Sequence, residues 1–586
     1  MTTPPRRGSR TADELYGSHT ANGFAQAEEF TPAQPPPAGN LDSGPAKDAP
    51  ENVDVVRSSG VMALGTLASR GTGFLRTLVF AYVLGQSLIG IEYNNANTLP
   101  NAVYDLMLGG ILTSVVVPLL VNAAKRDADG GEAYDQRMFT LAAGALFALT
   151  LVATLVASLL VSLYAHSFTG NERDLTIIFA YFFIPQIFFY GMTSLIGGIL
   201  NARGRFAAPM WTPAINNIVV ILVLLLFDVV DGGSVARNSI SGSGLALLGL
   251  GTTLGIVAQT VALIPSLRRV GFRWRPRFDF RRDEVAEIIH MAGPLFGYIV
   301  TTQVSFLVVQ NVADAASTHH GLAYDGFSTY TYAWQLFQLP YAVVGISVIT
   351  ALLPRMSAHA AQRRFGEVKR DFSGGVRLSS VIVVPAALVL FVLGSPVAQA
   401  LLGYGRMSTA DAAYTGMVFG IFSLGLVPYM MYQLMLRVFY AMHDSKTPMF
   451  IGVAAMVTNI VASLLSLALL PAGHVMEGVA AAFGLTNLTG AVVSWRILSH
   501  RMRGLGGRGI ARSLIRMHLA AVPAAVFGLA TSFAVRVVVP SGPAFGIITA
   551  GMGLGGALLL YVMFSRALGV TELNDLTSGL RARLGR

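Results

Sequence analysis

Apolar stretches of about twenty residues recur along almost the whole chain, separated by short polar segments. A helix needs about 20 apolar residues to cross a hydrocarbon core of about 30 Å. The pattern therefore predicts an all-α polytopic membrane protein with fourteen transmembrane helices. These spans are centred near residues 72, 109, 152, 188, 220, 255, 301, 339, 387, 426, 458, 487, 526 and 556.

The second half of this pattern repeats the first. Residues 99–103 (LPNAV) return as residues 339–343 (LPYAV), an offset of 339 − 99 = 240 residues, and an Asn-Ile-Val recurs at 217–219 and 459–461. Adding this offset maps spans 1–6 onto spans 7–12, and because six is even the two copies keep one orientation. We predict two six-helix lobes in a parallel repeat, with a pseudo-two-fold axis along the membrane normal and substrate passing between them.

Beyond the repeat, the pattern predicts short flanking segments and an appended helix pair. The first residues are rich in Pro, Ala, Gly, Asp and Glu, include the run 35–37 of prolines, and lack apolar periodicity. The predicted organisation is a disordered cytoplasmic tail (1–57), an N-lobe with spans 1–6 (58–267), a C-lobe with spans 7–12 (285–500), spans 13 and 14 (513–568) and a cytoplasmic C-terminal tail (569–586).

Basic residues alternate between the two sets of loops. One set holds only Arg173, Arg237 and Arg406. The other set holds Lys125, Arg126, Arg137, Arg203, Arg205, seven arginines between 268 and 282, Arg363, Arg364, Lys369, Arg370, Lys446 and the arginines between 501 and 512. Cytoplasmic loops carry an excess of Lys and Arg, so both termini are predicted to be cytoplasmic.

The composition agrees with a lipid environment. Hydrophobic residues make up 53% of the chain and charged residues 12%, there is no cysteine, and the net charge is +10. The basic residues lie in short loops, so we assign them to anionic membrane lipids and topology rather than to nucleic acid. No phosphate-binding loop and no zinc-binding His pair occurs in the sequence, and no loop is long enough for a catalytic domain. We expect no catalytic residue, no metal site and no cofactor.

Two arginines interrupt the apolar run of span 1. Arg70 lies roughly 15 Å deep and Arg76 about 9 Å further along the helix. Each mid-membrane arginine costs about 2.5–3.5 kcal/mol if it faces lipid, so both should face a protein interior or a wet cavity. Two interpretations stay open: a site for a phosphate-bearing substrate, or buried ion pairs with Asp105 and Glu92.

Other polar residues lie inside the spans. Most are expected to be hydrogen-bond partners between helices. Asn459 and Thr486 are weaker candidates for coordination of a small cation, although no carboxylate accompanies them within the spans.

Several motifs together resemble the MurJ/MviN family of the MOP exporter superfamily. They are Ser69-Arg70-x-x-Gly73-Phe74-x-Arg76, Leu99-Pro100-Asn101, Leu200-Asn201-Ala202-x-x-Arg205-Phe206, Tyr404-Gly405 and Phe439-Tyr440-x-x-x-Asp444-x-Lys446-Thr447-Pro448. The likeness runs from about residue 58 to 570. It implies a flippase in the bacterial plasma membrane that exports lipid II, a polyprenyl-diphosphate-linked disaccharide peptide used in cell-wall synthesis. It also implies a groove for the polyprenyl tail at spans 13 and 14.

The resemblance implies that Arg70 and Arg76 lie in a central cationic cavity with the substrate diphosphate. Ser69, Asn101 and Asp105 belong to the same motifs or their immediate surroundings. Family members carry arginine where this chain has Tyr104, Asp105 and, on span 8, Gln335. An outer acidic residue of the family falls at Ile91, and Glu92 follows it. The expected substrate-binding residues are Arg70, Arg76, Ser69, Asn101, Asp105, Glu92 and Gln335.

Three other functions stay open. The same fold could move another polyprenyl-diphosphate-linked saccharide. A drug or cation antiporter would favour an acidic cavity, whereas span 1 presents two arginines. A membrane scaffold could instead recruit cell-wall synthesis proteins through the N-terminal tail.

Overall fold

The computed structural model describes residues 51–106, 119–120, 123, 129, 131–235, 239–279, 282–318, 324–442 and 444–573. Residues 57–586 form one compact unit. The predicted tail up to residue 50, the centre of span 2 near residue 109 and the last residues of the C-terminal tail lie outside the described residues.

The described residues form seventeen α-helices and one short 3₁₀ helix, with no β-strand among them. The helices are α1 (Glu51–Val83), α2 (Leu88–Leu106), α3 (Glu132–Leu155), α4 (Ala157–Tyr164), α5 (Gly170–Phe183), α6 (Gln186–Ala202), α7 (Ala207–Val235), α8 (Gly242–Arg269), α9 (Arg282–Thr318), α10 (Gly326–Ala361), α11 (Phe365–Leu402), α12 (Thr409–Leu424), α13 (Leu426–Ala441), α14 (Lys446–Leu469), α15 (Val475–Arg501), α16 (Gly507–Val538) and α17 (Pro543–Ala567). The 3₁₀ helix is Ala472–His474.

The all-α polytopic fold predicted from the apolar pattern is confirmed. Among the described residues, ten helical segments are long and apolar enough to cross a membrane, and eleven if the pair α12 and α13 counts as one bent span. Every predicted span centre except the one near residue 109 falls inside a described helix. The count of fourteen spans stays a prediction.

Three predicted spans are built from two helices each. Span 3 breaks at Val156 between α3 and α4, and span 4 breaks before Gln186, where Pro185 supplies no backbone N–H. Span 10 bends by 49° between α12 and α13, at Gly425. These breaks explain why the helices outnumber the predicted spans.

Equivalent helices pack together in the two halves of the repeat. Helix α7 packs on α8 as α14 packs on α15, and α2 packs on α5 as α10 packs on α12. This correspondence supports the parallel repeat, whose exact lobe boundaries stay a prediction.

The last two helices pack on each other and on α11. Leu393 of α11 joins Ala524 of α16 and Tyr561 of α17 in one buried apolar cluster. The main chains come very close here, because a Cβ atom on Gly546 would lie 2.4 Å from the backbone nitrogen of Ala400. The helix pair is therefore attached to the second half of the protein.

The turns between helices fall on two faces of the bundle. The face that carries the turns near Arg203, Arg268, Arg363 and Arg501 is called the arginine-rich face. The arginine-poor face carries the turns 84–87, 165–169, 403–408 and 539–542. Helix α1 runs from the arginine-rich face to the arginine-poor face, since it ends at Val83.

Candidate functional site

A polar cavity of about 830 Å³ lies between the two halves. The first half contributes residues of α1, α2, α6, α7 and α8, and the second half contributes residues of α9, α10, α13, α14 and α15. Its volume lies within the range of ligand pockets in proteins. The wall is rich in amide, hydroxyl and aromatic side chains, including Asn94, Asn97, Asn101, Thr98, Thr252, Thr301, Thr302, Gln303, Tyr298, Tyr429, Tyr432, Gln433 and Asn487.

Two guanidinium groups are the charged groups of the described cavity wall, Arg76 from α1 and Arg437 from α13. Neither makes an ion pair with a carboxylate in the described part of the chain. The Nε atom of Arg437 is buried without a hydrogen-bond partner there, and its guanidinium lies 5.8 Å from the ring centroid of Tyr440. The cavity therefore presents positive charge from both halves, with no acidic group in its described wall to neutralise it.

Arg70 lies outside the cavity wall but faces the same space between the halves. It precedes Thr77 by seven residues, two turns of helix, so the two side chains share a face of α1. The Thr77 hydroxyl donates a hydrogen bond to the Gln335 side chain of α10 in the other half. Tyr341 of α10 also lies within electrostatic reach of both Arg70 and Arg437. Arg70 is exposed and lies on α1 six residues nearer the arginine-rich face than Arg76.

The remaining predicted substrate-binding residues separate into two groups. Asn101 and Gln335 line the cavity, and Asn101 accepts a hydrogen bond of 3.3 Å from the Tyr190 hydroxyl. Ser69 instead packs toward α7, where its carbonyl accepts a 3.1 Å hydrogen bond from Asn217. Glu92 does not line the cavity and is fully buried beyond it. The side chain of Asp105 lies outside the described residues.

The two candidate ion ligands also reach the cavity wall. Asn459 is buried, and its amide oxygen accepts a 3.0 Å hydrogen bond from Ser463. The Thr486 hydroxyl donates to the Ala482 carbonyl one turn away. In the described part of the chain, no group of three or more His, Cys, Asp or Glu residues is arranged to hold a metal ion. Both residues therefore have ordinary structural partners, and cation binding there stays a prediction.

Three buried amide oxygens of the cavity wall have no hydrogen-bond partner among the described residues, those of Asn97, Gln186 and Asn216. A buried polar atom without a partner is unfavourable by about 1–3 kcal/mol. These three oxygens are shielded from the cavity by their neighbours, so the polar character of the wall rests on its other amide and hydroxyl groups.

Toward the arginine-poor face, the two halves close on each other along a contact that we call the seam. Here the turn 84–87 of the first half meets the turn 403–408 of the second. The Arg406 backbone N–H donates a 2.9 Å hydrogen bond to the Tyr82 carbonyl. Gly85 has φ +58° and Gly405 has φ +62°, and a Cβ atom on Gly405 would lie 2.3 Å from the Tyr82 oxygen. Only residues without a side chain let the two main chains approach this closely.

The Arg406 side chain ties three parts of the seam together. Its guanidinium donates to the Asp228 carboxylate at 2.5 Å, to the Val83 carbonyl at 2.8 Å and to the Gly232 carbonyl at 2.6 Å. All three acceptors belong to the first half, whereas Arg406 belongs to the second. A planar guanidinium suits several acceptors at once.

Further polar contacts continue the seam toward the cavity. Gln86 donates to Thr329 at 3.0 Å and to Thr415 at 3.4 Å, and its oxygen accepts from the Asp325 backbone N–H at 3.2 Å. The Tyr332 hydroxyl donates to the Gly85 carbonyl at 3.1 Å. The cavity is thus closed on the arginine-poor side. Arg437 lies near the end of α13 toward the arginine-rich face, whereas Arg76 lies six residues before Tyr82 of the seam.

Predicting the cavity charges from span 1 alone misses Arg437 and the seam that closes one side of the cavity. Arg437 had a detectable signal, because it is a charge within an apolar span. The seam had no local signal, since its partners lie more than 150 residues apart in sequence.

Comparisons with known proteins agree with the fold and identify the family. Residues 80–544 match the family described as "Lipid II flippase MurJ". A "Probable lipid II flippase MurJ" from Rhizobium meliloti (strain 1021) is 27% identical over 526 residues, which cover 88% of this chain and 94% of that protein. A "Lipid II flippase MurJ" from Burkholderia cenocepacia is 25% identical over 402 residues, covering 67% and 75%.

Two solved structures share the fold. One is titled "Lipid II flippase MurJ, inward closed conformation", with a TM-score of 0.68, 19% identity, and coverage of 86% of this chain and 99% of that one. The other is an inward-facing multidrug resistance MATE family transporter of the MOP superfamily. It has a TM-score of 0.60, 15% identity, and coverage of 74% and 95%.

Proposed function

Because the chain belongs to the MurJ family of lipid II flippases, we propose that it moves lipid II from the inner to the outer leaflet by alternating access. The protein is a multi-pass protein of the bacterial plasma membrane, and its family is one of transporters rather than of enzymes. Lipid II is its substrate, and the process it serves is peptidoglycan synthesis. The match covers 94% of the length of the Rhizobium meliloti relative.

The observation that carries this proposal is the cavity with cationic groups from both halves and one closed end. The substrate diphosphate binds Arg76 and Arg437, because guanidinium groups form paired hydrogen bonds with phosphate oxygens. Arg70 attracts the headgroup at the mouth of the cavity, and Asn101 and Gln335 bind its polar sugar and peptide groups. Ser69 holds α1 against α7 beside the cavity through its carbonyl, and substrate binding by Asp105 stays a prediction. Arg437 thus compensates for arginines that this chain lacks on spans 2 and 8.

The charge distribution supports one orientation in the membrane. The arginine-rich face is cytoplasmic, and both termini lie on that side. The seam then closes the outer side of the cavity, so the headgroup enters from the cytoplasm. Residues 58–267 and 285–500 are the two moving lobes, and residues 513–568 hold the polyprenyl tail against α11. The segments 1–57 and 569–586 are cytoplasmic, and 1–57 is available to cell-wall synthesis proteins.

The test is complementation of a strain whose own flippase is depleted. We expect Arg76→Ala and Arg437→Ala each to abolish growth, with protein present in the membrane at normal amount, because each removes half of the charge that binds the diphosphate. Arg76→Lys keeps the charge but not the paired hydrogen bonds and should retain partial function. The matched control is Arg536→Ala, a change at the end of α16 far along the chain from both cavity arginines.

Three outcomes would contradict the proposal. Full complementation by the Arg76→Ala, Arg437→Ala double variant would remove the diphosphate site. If deletion of 1–57 stopped growth while both arginine variants grew, the scaffold function would replace it. If depletion spared peptidoglycan and blocked only a surface polymer, the substrate would be another polyprenyl-diphosphate-linked saccharide.

A further inference from the structure

Two acidic side chains are buried inside the seam without partners. Glu92 of α2 is 0% exposed and Asp314 of α9 is 1% exposed. All four carboxylate oxygens lack a hydrogen-bond partner among the described residues. A buried carboxylate ion without a counter-charge is strongly unfavourable, and such a group becomes neutral instead.

The two acids lie on helices of opposite halves that are joined by a hydrogen bond. The Gln310 amide of α9 donates a hydrogen bond to the Asn95 oxygen of α2, which fixes the faces that these helices turn toward each other. Glu92 lies three residues before Asn95, and Asp314 lies four residues after Gln310. Residues three and four apart share a helix face. Both acids therefore lie one turn beyond this bridge, on the side of the arginine-poor face.

The groups around the pair make ionisation harder. Glu172 of α5 and Asp325, which caps the start of α10, both act on Glu92 and on Asp314 as like charges. Burial raises the pKa of Asp325, which lies in the turn before α10. Of the basic residues nearby, Arg173 of α5 donates to Ser162 at 3.0 Å, and His166 meets Asn311 of α9 through its backbone. His319 and His320 lie outside the described residues.

We propose that Glu92 and Asp314 form a proton site that couples protonation to closure of the seam. When the seam is closed, each carboxyl group holds a proton. When the halves part at the arginine-poor face, water reaches both groups, each releases one proton to the solution, and two carboxylates remain. The inference rests on the proposed alternating access, and it gives Glu92 a role other than the substrate binding expected from the sequence.

A proton is the ligand that fits this geometry. A metal ion needs several oxygen ligands around one point, and the described residues contain no group of three acidic or His side chains so arranged. Protons bind each buried carboxyl group separately. The sign follows from burial: the closed state binds protons more tightly, so low pH favours closure and rising pH favours opening.

The test follows seam opening by thiol labelling, which does not depend on lipid II. The chain has no cysteine, so a single introduced thiol is the only site. Thr329→Cys places it in the seam, where Thr329 is fully buried. In right-side-out vesicles, labelling by an impermeant thiol reagent is measured from pH 5.5 to pH 8. It is normalised to Ser541→Cys in an exposed turn of the same face, which corrects for thiol ionisation.

We expect normalised labelling to rise by about tenfold or more over this range, since each coupled proton contributes up to tenfold per pH unit. Adding Glu92→Gln and Asp314→Asn should hold labelling low and independent of pH, because amides mimic the protonated acids. Glu92→Gln alone should remove about half of the slope, and it remains informative if the double variant does not reach the membrane. Glu367→Gln, on the arginine-rich face, is the matched control and should behave as the unmodified seam.

Three outcomes would overturn the proton site. One is an unchanged pH dependence in both acid variants, and another is labelling that never varies with pH. The third is closure driven by sodium at constant pH, which would make the ligand a cation other than the proton. None of these results bears on the arginine variants, so failure of this inference and failure of the flippase proposal can be told apart.

Discussion

The two ends of the space between the halves differ in how they hold the halves together. At the arginine-poor end, the turns 84–87 and 403–408 interlock, and Arg406 joins Asp228 to two carbonyls of the first half. At the other end, Arg70 is exposed and Arg437 has a buried nitrogen without a partner among the described residues. The polar groups at the arginine-poor end have hydrogen-bond partners within the protein, whereas those at the other end can bind a ligand. This asymmetry is what a carrier needs in one of its two states.

The closed end combines polar contacts with apolar packing, since Leu84 of the first half and Met407 of the second belong to one buried apolar cluster. A hydrogen bond exchanged with water contributes only about 0.5–1.5 kcal/mol net. Contacts of this kind can hold one state and still be broken within a transport cycle.

The largest effect is expected from a cross-link that holds the arginine-poor end closed. Gln86→Cys with Thr329→Cys, joined by a short bis-methanethiosulfonate, links the halves at a contact of 3.0 Å. We expect lipid II flipping in reconstituted vesicles to fall to background and to return on reduction, because the seam can no longer open.

The matched control joins Thr329→Cys to Thr415→Cys, since both residues lie in the second half and both meet Gln86. That link should leave flipping nearly unchanged. Normal flipping with the first link in place would show that the seam need not open.

A smaller effect is expected from Gly405→Ala. A left-handed backbone costs an ordinary residue about 1–2 kcal/mol, which corresponds to roughly a tenfold shift toward the open seam. The added methyl group would also collide with the Tyr82 oxygen. Labelling of Thr329→Cys from outside, at one pH, measures the shift.

Gly71→Ala is the matched control for this glycine, because it lies within α1 and a Cβ atom there meets nothing within 4 Å. Equal labelling in the two backgrounds would mean that close approach of the two turns does not hold the seam closed.

The smallest effect concerns the contact between the two ends. Thr77→Val and Gln335→Leu each remove one partner of the hydrogen bond between α1 and α10. We expect each single variant to lower the flipping rate by a few-fold. The double variant should lose less than the product of the two, with a coupling of about 0.5–1.5 kcal/mol. Strict additivity would mean that this bond does not contribute to transport.

Much of the fold was predictable because lipid imposes a length on every span. The apolar runs gave the positions of the helices, and Arg76 was identifiable because a charge inside such a run needs a reason. The depth of a residue follows from the rise per residue, which is the same in every helix. The rise per residue does not tell which residues contact each other across the bundle. Those contacts depend on the rotation of each helix about its own axis, which packing determines.

Glu92 illustrates that limit. Its place near the outer end of span 2 suggested a partner for an arginine or the substrate. The side chain is fully buried outside the cavity wall, on the same face of α2 as Asn95, which bonds to Gln310 of the other half. The interlocked turns at Gly85 and Gly405 were equally out of reach, since each glycine is ordinary in its own segment. Arg437 differs, because its charge within span 10 was visible in the sequence and only its direction was not.

The attachment of α16 and α17 to α11 has a consequence for the path of the substrate. Any long hydrocarbon chain lying along that pair would move together with the second half and not with the first. Its distance from Arg437 would then stay constant through the cycle, while its distance from Arg76 would change. A molecule bound at one end by both halves and at the other end by only one would lose contacts with the first half when the halves separate. This loss of contacts would favour its release.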